Sequence, residues 1–342
     1  MDLRASSTHG SEPEAIVHGG NLDEISRLYP DAPRPWIDLS TGINPIAYPI
    51  PSLPTEAWSR LPTKADERAL LVAATRRYGV RAPASIVAAP GTQALLQILP
   101  RLRPSGSVAV LAPTYEEHAL CWRRCEHEVR LIDKIDALAG VDVAVVVNPN
   151  NPTGRVLSRE RLTALATKLA KHGGLLILDE AFADVLPADV SLLPELPPST
   201  LVLRSFGKTY GLAGLRLGFA IADDELARKL RDELGPWAVS GPALAIGTAA
   251  LADDVWLSHT RERLIADSRR LDQLLIAAGC GIIGGTPLFR LAEHADAEAL
   301  ADRLARHGIH VRRFPCNTAW LRFGLPGDKE SWQRLEAALM TI

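Results

Sequence analysis

Short apolar segments alternate with amphipathic helical segments through most of the chain. Apolar runs such as Val141–Val147 and Leu175–Leu178 predict strands that are buried on both faces. Between them, Ser158–Lys171 has the apolar spacing of a helix, and the hydroxyl of Ser158 suits the N-cap position. Because buried strands and helices alternate, the pattern predicts an α/β fold with a mostly parallel sheet between helices.

The last third of the chain has a different organisation. The Gly235-Pro236-Trp237 segment interrupts the alternation, and Pro242–Ala278 predicts a long, bent helical region followed by a smaller set of strands and helices. We therefore predict a large domain over 46–235 and a small α/β domain over 236–342. Residues 1–45 are rich in Gly, Pro and polar side chains, and we expect an N-terminal arm that contributes to the substrate site and to the small domain.

Composition excludes several classes of protein. The 342 residues are 47% hydrophobic and 23% charged with a net charge of −2, which argues against nucleic acid and anionic membranes as partners. No apolar run is long enough to cross a bilayer, and the polar N-terminus does not resemble a signal peptide, so we expect a cytoplasmic protein. Cys121 and Cys125, with His118 nearby, resemble half of a metal site, but no second half follows and no metal is predicted.

The most informative polar residues lie in the stretch Leu203–Gly218. Lys208 sits between small residues, with Ser205 before it and Arg216 after it. Burial among apolar segments lowers the pKa of a lysine and makes its amine a nucleophile toward a carbonyl, while the serine and the arginine suit an anion. This combination predicts a lysine that binds pyridoxal phosphate, and the alternative is a surface loop with a solvated lysine.

Other polar residues follow predicted strands, where the ligands of parallel sheets collect. Gly91 and Thr92 join a strand to a helix start and suit a phosphate, although a simple tight turn has the same pattern. Tyr115 could stack on a flat ring or pack in the core. Asn151 could donate to a ring oxygen. Asp179 follows a fully apolar strand, and its carboxylate needs a partner if it is buried.

In this order, the motifs resemble the fold-type I pyridoxal-phosphate enzymes of the class I and II aminotransferase superfamily, over nearly the whole chain. The matching motifs are Asn151-Pro152-Thr153-Gly154, Asp179-Glu180-Ala181-Phe182, and Ser205-Phe206-Gly207-Lys208 with Arg216. The resemblance implies that Lys208 binds the cofactor covalently and later moves protons. It also implies that Asp179 pairs with the pyridine nitrogen and that Asn151 bonds the ring 3-oxygen.

The resemblance further implies that Tyr115 stacks on the cofactor ring. The phosphate is then held by Gly91, Thr92, Ser205 and Arg216. One position departs from the family pattern, because Phe182 stands where many members carry a tyrosine that helps to bind the 3-oxygen. We therefore expect the electronic tuning of the cofactor to differ from that of those members.

The N-terminal motifs narrow the resemblance to one group. His18-Gly19-Gly20-Asn21 and Leu39–Pro45 resemble the threonine-phosphate decarboxylases of cobalamin biosynthesis, which are close relatives of histidinol-phosphate aminotransferases. Such a resemblance implies the conversion of L-threonine O-3-phosphate to (R)-1-amino-2-propanol O-2-phosphate and carbon dioxide. It also implies that His18, Gly19 and Asn44 surround the substrate.

Two arginines near the C-terminus are candidates for binding the substrate's two anions. Arg322 matches the substrate-carboxylate arginine of the family, and Arg312 supplies a second guanidinium group. Arg313 competes with Arg312 for this role, because adjacent residues of a strand face opposite ways.

Two alternatives remain open at this stage. An aminotransferase that acts on histidinol phosphate or a similar phosphorylated amino acid would carry the same motifs, since the choice of bond depends on the pose of the substrate. A non-catalytic ligand sensor with an aminotransferase-like domain would be expected to have an attached DNA-binding domain and a basic stripe, and we see neither. The resemblance also implies a homodimer.

Overall fold

A computed structural model describes residues 19–82 and 85–340 of the chain. The strands in the described residues are β1 (Ile37–Leu39), β2 (Ile86–Ala89), β3 (Ser107–Leu111), β4 (Glu128–Ile132), β5 (Val143–Val147), β6 (Leu175–Asp179), β7 (Thr200–Ser205), β8 (Gly218–Ile221), β9 (Gly281–Thr286), β10 (Phe289–Glu293), β11 (Ile309–Arg313) and β12 (Trp320–Gly324). The α-helices in the same residues are α1 (Leu22–Leu28), α2 (Glu56–Ser59), α3 (Lys64–Tyr78), α4 (Thr92–Ile98), α5 (Glu117–Arg124), α6 (Arg159–Ala170), α7 (Phe206–Thr209), α8 (Asp224–Leu234), α9 (Gly241–Ala252), α10 (Asp254–Ala277), α11 (Ala297–Arg306) and α12 (Lys329–Met340).

Within the described residues, the larger sheet has seven strands in the order β2-β8-β7-β6-β5-β3-β4. All of these strands run parallel except β8, which pairs antiparallel with β2 and β7. Apolar clusters cover both faces of the sheet, and strands β5 and β6 are buried along their whole length. The predicted α/β fold with a mostly parallel sheet is therefore confirmed.

Local sequence accounts for several element boundaries. The hydroxyl of Ser158 accepts a hydrogen bond from the Arg161 N–H, so Ser158 is the N-cap of α6 as predicted. Strand β5 begins at Val143, later than its apolar pattern indicated, and just before it the Asp142 carboxylate accepts bonds from the N–H and the hydroxyl of Ser107. The long helical region is interrupted at Asp253, whose carboxylate caps the start of α10.

The smaller sheet combines the N-terminal strand with strands from the end of the chain. Its order is β1-β11-β12-β10-β9, in which β1 pairs parallel with β11 and the other pairs are antiparallel. Strands β11 and β12 place Arg312 directly opposite Arg322. Cross-strand partners share a face of the sheet, so these two arginines point to the same side.

Helix α9 bears on the domain division. It follows the expected boundary at 235/236, but its side chains Ala243, Leu244 and Leu251 belong to the core of the seven-stranded sheet. Helix α10 instead contributes Leu264 and Leu271 to the core of the smaller sheet. We therefore propose a division near the break between α9 and α10, because burial assigns α9 to the large sheet.

A buried ion cluster joins the ends of β6 and β7. The Arg204 guanidinium lies 2.7 Å from the carboxylates of both Glu180 and Asp184, and Ser191 donates to Glu180 at 2.6 Å. All four side chains are buried. Because an unpaired buried charge is costly, this cluster holds the two strand ends, and the polar residues beside them, in a defined relation.

In the part of the chain that the structure describes, none of the helices has the length and apolar character needed to span a membrane.

Candidate active site

A cavity of about 320 Å³ lies beyond the carboxyl ends of the parallel strands, facing β11 and β12. The predicted site residues among its lining are Gly19, Gly91, Thr92, Tyr115, Asn151, Asp179, Ser205, Lys208, Arg216, Arg312 and Arg322. These residues come from both sheets and from the N-terminal segment. The fold therefore brings together side chains that are far apart in the sequence.

Lys208 lies in the short helix α7, which follows directly from the buried strand β7. Burial is the main cause that lowers the pKa of the Lys208 amine to about 8. The nearby guanidinium groups of Arg322 and Arg216 also lower this pKa, whereas the Asp179 carboxylate raises it. A lysine with this pKa has a substantial neutral fraction near neutral pH, and the neutral amine is the form that attacks a carbonyl.

Asp179 ends strand β6 and is buried at the cavity wall. One carboxylate oxygen accepts a hydrogen bond from the Ala181 N–H at 3.0 Å, and the other lies 2.8 Å from Nε2 of His118. His118 is buried on α5. The His118 ring therefore supports the Asp179 carboxylate. This contact accounts for His118, whose spacing from Cys121 and Cys125 resembled half of a metal site.

Asn151 and Arg322 meet across the two sheets. The Asn151 amide oxygen accepts a hydrogen bond from Arg322, which leaves the amide NH₂ group as the donor available to a ligand. A second nitrogen of Arg322 donates to the Ser40 carbonyl at 2.6 Å, and its guanidinium lies 5.3 Å from the centre of the Phe289 ring. Burial and the nearby Arg312 lower the pKa of Arg322 to about 10.

Close backbone packing shapes the anion end of the cavity. Gly91 has a φ of +83°, and a Cβ there would lie 2.8 Å from an Arg216 nitrogen. Arg216 is itself held in a left-handed conformation, and its guanidinium donates to the Ala213 carbonyl at 3.2 Å. Only glycine allows this approach, which leaves space for an anion between Arg216, Thr92 and Ser205.

Tyr115 occupies the cavity wall above α5. Its hydroxyl donates to the Gln93 side chain at 3.5 Å, and its ring meets the His118 ring edge to face at 6.1 Å between centres. Burial and the Glu117 carboxylate raise the pKa of Tyr115, so its hydroxyl stays protonated. The ring is therefore a rigid, neutral surface for a flat ligand.

The structure distinguishes Arg312 from Arg313. Arg312 lines the cavity, and within the described residues it makes no salt bridge. Arg313 points away and donates to the Asp302 carboxylate at 2.6 Å. Arg312 therefore joins Arg216 and Arg322 at the cavity, and alternation along β11 is the physical reason that Arg313 does not.

The N-terminal residues have different fates. Gly19 lines the cavity, and the Gly20 N–H donates to the Ser40 hydroxyl at 2.7 Å. His18 lies outside the described residues. Asn44 is buried at 2% exposure and is not part of the cavity wall, since its side chain is engaged by other protein groups. The structure thus does not place Asn44 where the resemblance put it.

Some cavity residues were not identified from the sequence. Gly42 lines the wall, and a Cβ there would lie 2.9 Å from both Phe182 and Phe289. The Lys208 amine lies 5.8 Å from the centre of the Phe182 ring, so an apolar ring stands beside the amine. Only the position of Phe182 could be read from the sequence motif, because the packing of Gly42 involves residues remote in the chain.

The donor set fits pyridoxal phosphate. The cavity offers an amine of lowered pKa, a buried carboxylate at Asp179, an amide donor at Asn151, and a glycine-lined cradle beside Arg216. These groups match an aldehyde, a pyridine nitrogen, a ring oxygen and a phosphate, respectively.

The lowered pKa of Lys208 predicts how the cofactor-free protein reacts with pyridoxal phosphate. Because only the neutral amine attacks the aldehyde, the rate of covalent attachment should rise steeply as pH increases through about 8. The rate at which the visible absorption band appears, measured by stopped flow at roughly evenly spaced pH values between about 6.5 and 9.5, checks this pH dependence.

Lys208→Ala should give no band, and replacement of the exposed Lys64 by Ala should leave the profile unchanged. A rate that rises only where an ordinary solvated lysine titrates would contradict the buried-amine interpretation.

Comparison with known proteins identifies the family. The aminotransferase class I and II family matches residues 65–339. A threonine-phosphate decarboxylase from Pseudomonas aeruginosa is 44% identical over 328 residues, which cover 95% of this chain and 97% of that protein. A protein of the same name from a Sinorhizobium species is 42% identical, with coverage of 95% and 97%.

Solved structures share the fold. The histidinol-phosphate aminotransferase from Sinorhizobium meliloti, in complex with pyridoxal-5'-phosphate, has a TM-score of 0.80 at 23% identity and covers 98% of this chain and 97% of that one. The L-threonine-O-3-phosphate decarboxylase from Porphyromonas gingivalis has a TM-score of 0.72 at 20% identity, with coverage of 89% and 98%. The chain belongs to the aminotransferase class I and II family.

Proposed function

We propose that this protein is a pyridoxal-phosphate-dependent decarboxylase that converts L-threonine O-3-phosphate to (R)-1-amino-2-propanol O-2-phosphate and carbon dioxide, a step of cobalamin biosynthesis. The relatives named threonine-phosphate decarboxylase, which match almost the whole chain, support this function. The structural observation that carries it is the pair Arg312 and Arg322, which face one cavity with Lys208.

The two arginines match a substrate with two anionic groups. Among the described residues, neither guanidinium is in a salt bridge with a carboxylate, although Arg322 is buried and Arg312 is half-buried. Arg322, which contacts Asn151, is placed to bind the α-carboxylate next to the cofactor. Arg312 lies opposite Arg322 on the neighbouring strand and would bind the phosphate.

Pyridoxal phosphate, when bound, supplies an electron sink for the electron pair of the breaking bond. Asp179 holds a proton at the ring nitrogen, and His118 orients the Asp179 carboxylate. Arg322 orients the carboxylate so that the bond between Cα and the carboxyl carbon breaks and carbon dioxide leaves. Lys208 then returns one proton to Cα, a role that suits an amine with a pKa of about 8.

An aminotransferase that acts on a phosphorylated amino acid remains the second candidate. A histidinol-phosphate aminotransferase from Mycobacterium bovis is 30% identical over 91% of this chain. Histidinol phosphate has a phosphate but no carboxylate, so it would engage the two arginines through a single anionic group, and Lys208 would move a proton from Cα instead of supplying one after decarboxylation. The lower identity makes this alternative the less supported of the two.

We further propose that the protein is a homodimer. Apolar side chains on one region are strongly exposed, with Trp58 at 69%, Leu61 at 65% and Trp237 at 59%. Their segments adjoin, because Gly241 at the start of α9 packs against the Ala57 backbone. A second copy of the chain would bury this surface, since large apolar patches on a soluble protein favour association.

The decarboxylase proposal predicts acceptor-independent release of carbon dioxide. Purified protein with pyridoxal phosphate should release one carbon dioxide per L-threonine O-3-phosphate consumed when no keto acid is present, and Lys208→Ala should release none. Coupled detection of carbon dioxide and of the amine product checks this. A requirement for a keto-acid acceptor, with no carbon dioxide released, would support the aminotransferase instead.

The assignment of the phosphate to Arg312 predicts a selective defect. Arg312→Ala should raise KM for the phosphorylated substrate by roughly ten- to a hundredfold, because a charge-assisted bond to the phosphate is lost. Arg313→Ala is the matched control and should leave KM within about twofold, since that side chain binds Asp302 on the other face. Equal effects of the two variants on KM would contradict the assignment.

The homodimer proposal predicts a particle of twice the 37.0 kDa chain mass in light scattering after gel filtration. The double variant Trp58→Glu, Trp237→Glu should shift the protein toward the monomer by placing charges in the interface. Ile276→Glu, which changes an exposed apolar residue on α10, is the control and should remain dimeric. A monomeric wild-type protein would exclude the proposal.

A further inference from the structure

Asn44 lies beside the turn that carries Lys208 rather than in the cavity. The Asn44 N–H donates to the Lys208 carbonyl at 2.9 Å, and the Asn44 side-chain NH₂ donates to the Thr209 carbonyl at 2.8 Å. Four residues farther on, the Tyr48 N–H donates to the Tyr210 carbonyl at 2.8 Å. The 44–48 segment therefore runs along the 208–210 segment and satisfies its carbonyls one after another.

The other end of the Asn44 amide is also engaged. Its oxygen accepts hydrogen bonds from the Arg263 guanidinium at 2.7 Å and from the Ile46 N–H at 3.1 Å. Arg263 belongs to α10 and lies 3.2 Å from the Asp267 carboxylate on the same helix. The Asn44 side chain thus connects α10 to the lysine turn, and it has no face directed at the cavity.

The turn that carries Lys208 needs such support. Helix α7 is only four residues long, and a helix of one turn has little stability of its own. The last carbonyls of a helix lack partners within it. Here the Thr209 carbonyl accepts from the Asn44 side chain, and the Lys208 carbonyl accepts from the Asn44 N–H at 2.9 Å and, more weakly, from the Gly211 N–H at 3.4 Å.

Gly211 makes the close contact possible. Its φ is +65°, and a Cβ there would lie 2.6 Å from the Asn44 carbonyl oxygen. A side chain at this position would push the 44–48 segment away from the lysine turn. The glycine therefore allows the two segments to lie in direct backbone contact.

We propose that Asn44 is a positioning residue for Lys208, which holds the turn so that the amine stays at the cavity wall, and that Arg263 fixes Asn44 from α10. The substrate contact that the sequence suggested for Asn44 is replaced by this role. The inference rests on Lys208 being the reacting amine, which is part of the proposed function, but it does not depend on which substrate is used.

Hydrogen–deuterium exchange of the cofactor-free protein tests the proposal. Asn44→Asp has almost the same shape and keeps the oxygen that Arg263 binds, but it replaces the donor to the Thr209 carbonyl by an oxygen. Exchange of the amides in 206–211 should be faster by roughly tenfold, while amides of β5 and β6 keep their wild-type rates. The pH midpoint of the visible band of the cofactor-loaded variant should also shift, because the amine is no longer held in its wild-type surroundings.

Variants of α10 provide the second measurement. Arg263→Met removes the donor to the Asn44 oxygen and should increase exchange in 206–211 in the same direction by a smaller factor. Asp267→Asn is the matched control, because it removes the ion pair of Arg263 without touching Asn44, and it should leave that exchange unchanged. If Asn44→Asp does not fold, the comparison of Arg263→Met with Asp267→Asn still tests whether Asn44 holds the lysine turn.

Two outcomes would overturn the proposal. If Asn44→Asp keeps the wild-type exchange rates in 206–211 but has a raised KM, Asn44 is a substrate-binding residue. Equal acceleration by Arg263→Met and Asp267→Asn would assign the effect to general loosening of α10. Failure of the proposed function is recognised by a different measurement. A visible band that persists in Lys208→Ala would show that Lys208 is not the amine that binds the cofactor, whereas the exchange rates of the Asn44 and Arg263 variants do not depend on that result.

Discussion

The Lys208 amine shares one cavity with Arg216, Arg312 and Arg322, and this excess of positive charge governs the site. Among the described residues that line the cavity, four cationic side chains face only two carboxylates, those of Glu116 and Asp179. Burial and the neighbouring guanidinium groups lower the pKa of the amine to about 8. A cavity with this charge balance is stabilised by anionic ligands, and a phosphorylated cofactor together with a doubly anionic substrate meets that requirement.

Holding cations close together requires a rigid frame, and the chain supplies it from behind the site. The Arg204, Glu180 and Asp184 cluster joins the ends of β6 and β7, which carry Asp179 and lead into the Lys208 turn. From the other side, the 44–48 segment binds the carbonyls of the same turn. The ion cluster and the Asn44 side chain are buried and hydrogen-bonded, so they resist displacement of the charged groups in front of them.

The N-terminal segment links the two sheets at the site. Strand β1 joins the small sheet, the Ser40 carbonyl accepts from Arg322, and the Ser40 hydroxyl accepts from the Gly20 N–H. A few residues later the chain reaches the Lys208 turn through Asn44. The same short segment therefore contacts both Arg322 and the Lys208 turn.

Fold class, cofactor and the chemical identity of the residues at the strand ends could all be predicted from the sequence. Unbroken apolar runs predict buried parallel strands, and side chains that follow such strands meet at one edge of the sheet wherever the strands pair. Four features emerged from the folded chain alone: Arg312 rather than Arg313 faces the cavity, His118 supports Asp179, α9 packs with the large sheet, and Asn44 binds the lysine turn. Each of these depends on contacts between segments remote in the chain, and neither spacing nor propensity in a single sequence specifies which distant partner a side chain meets.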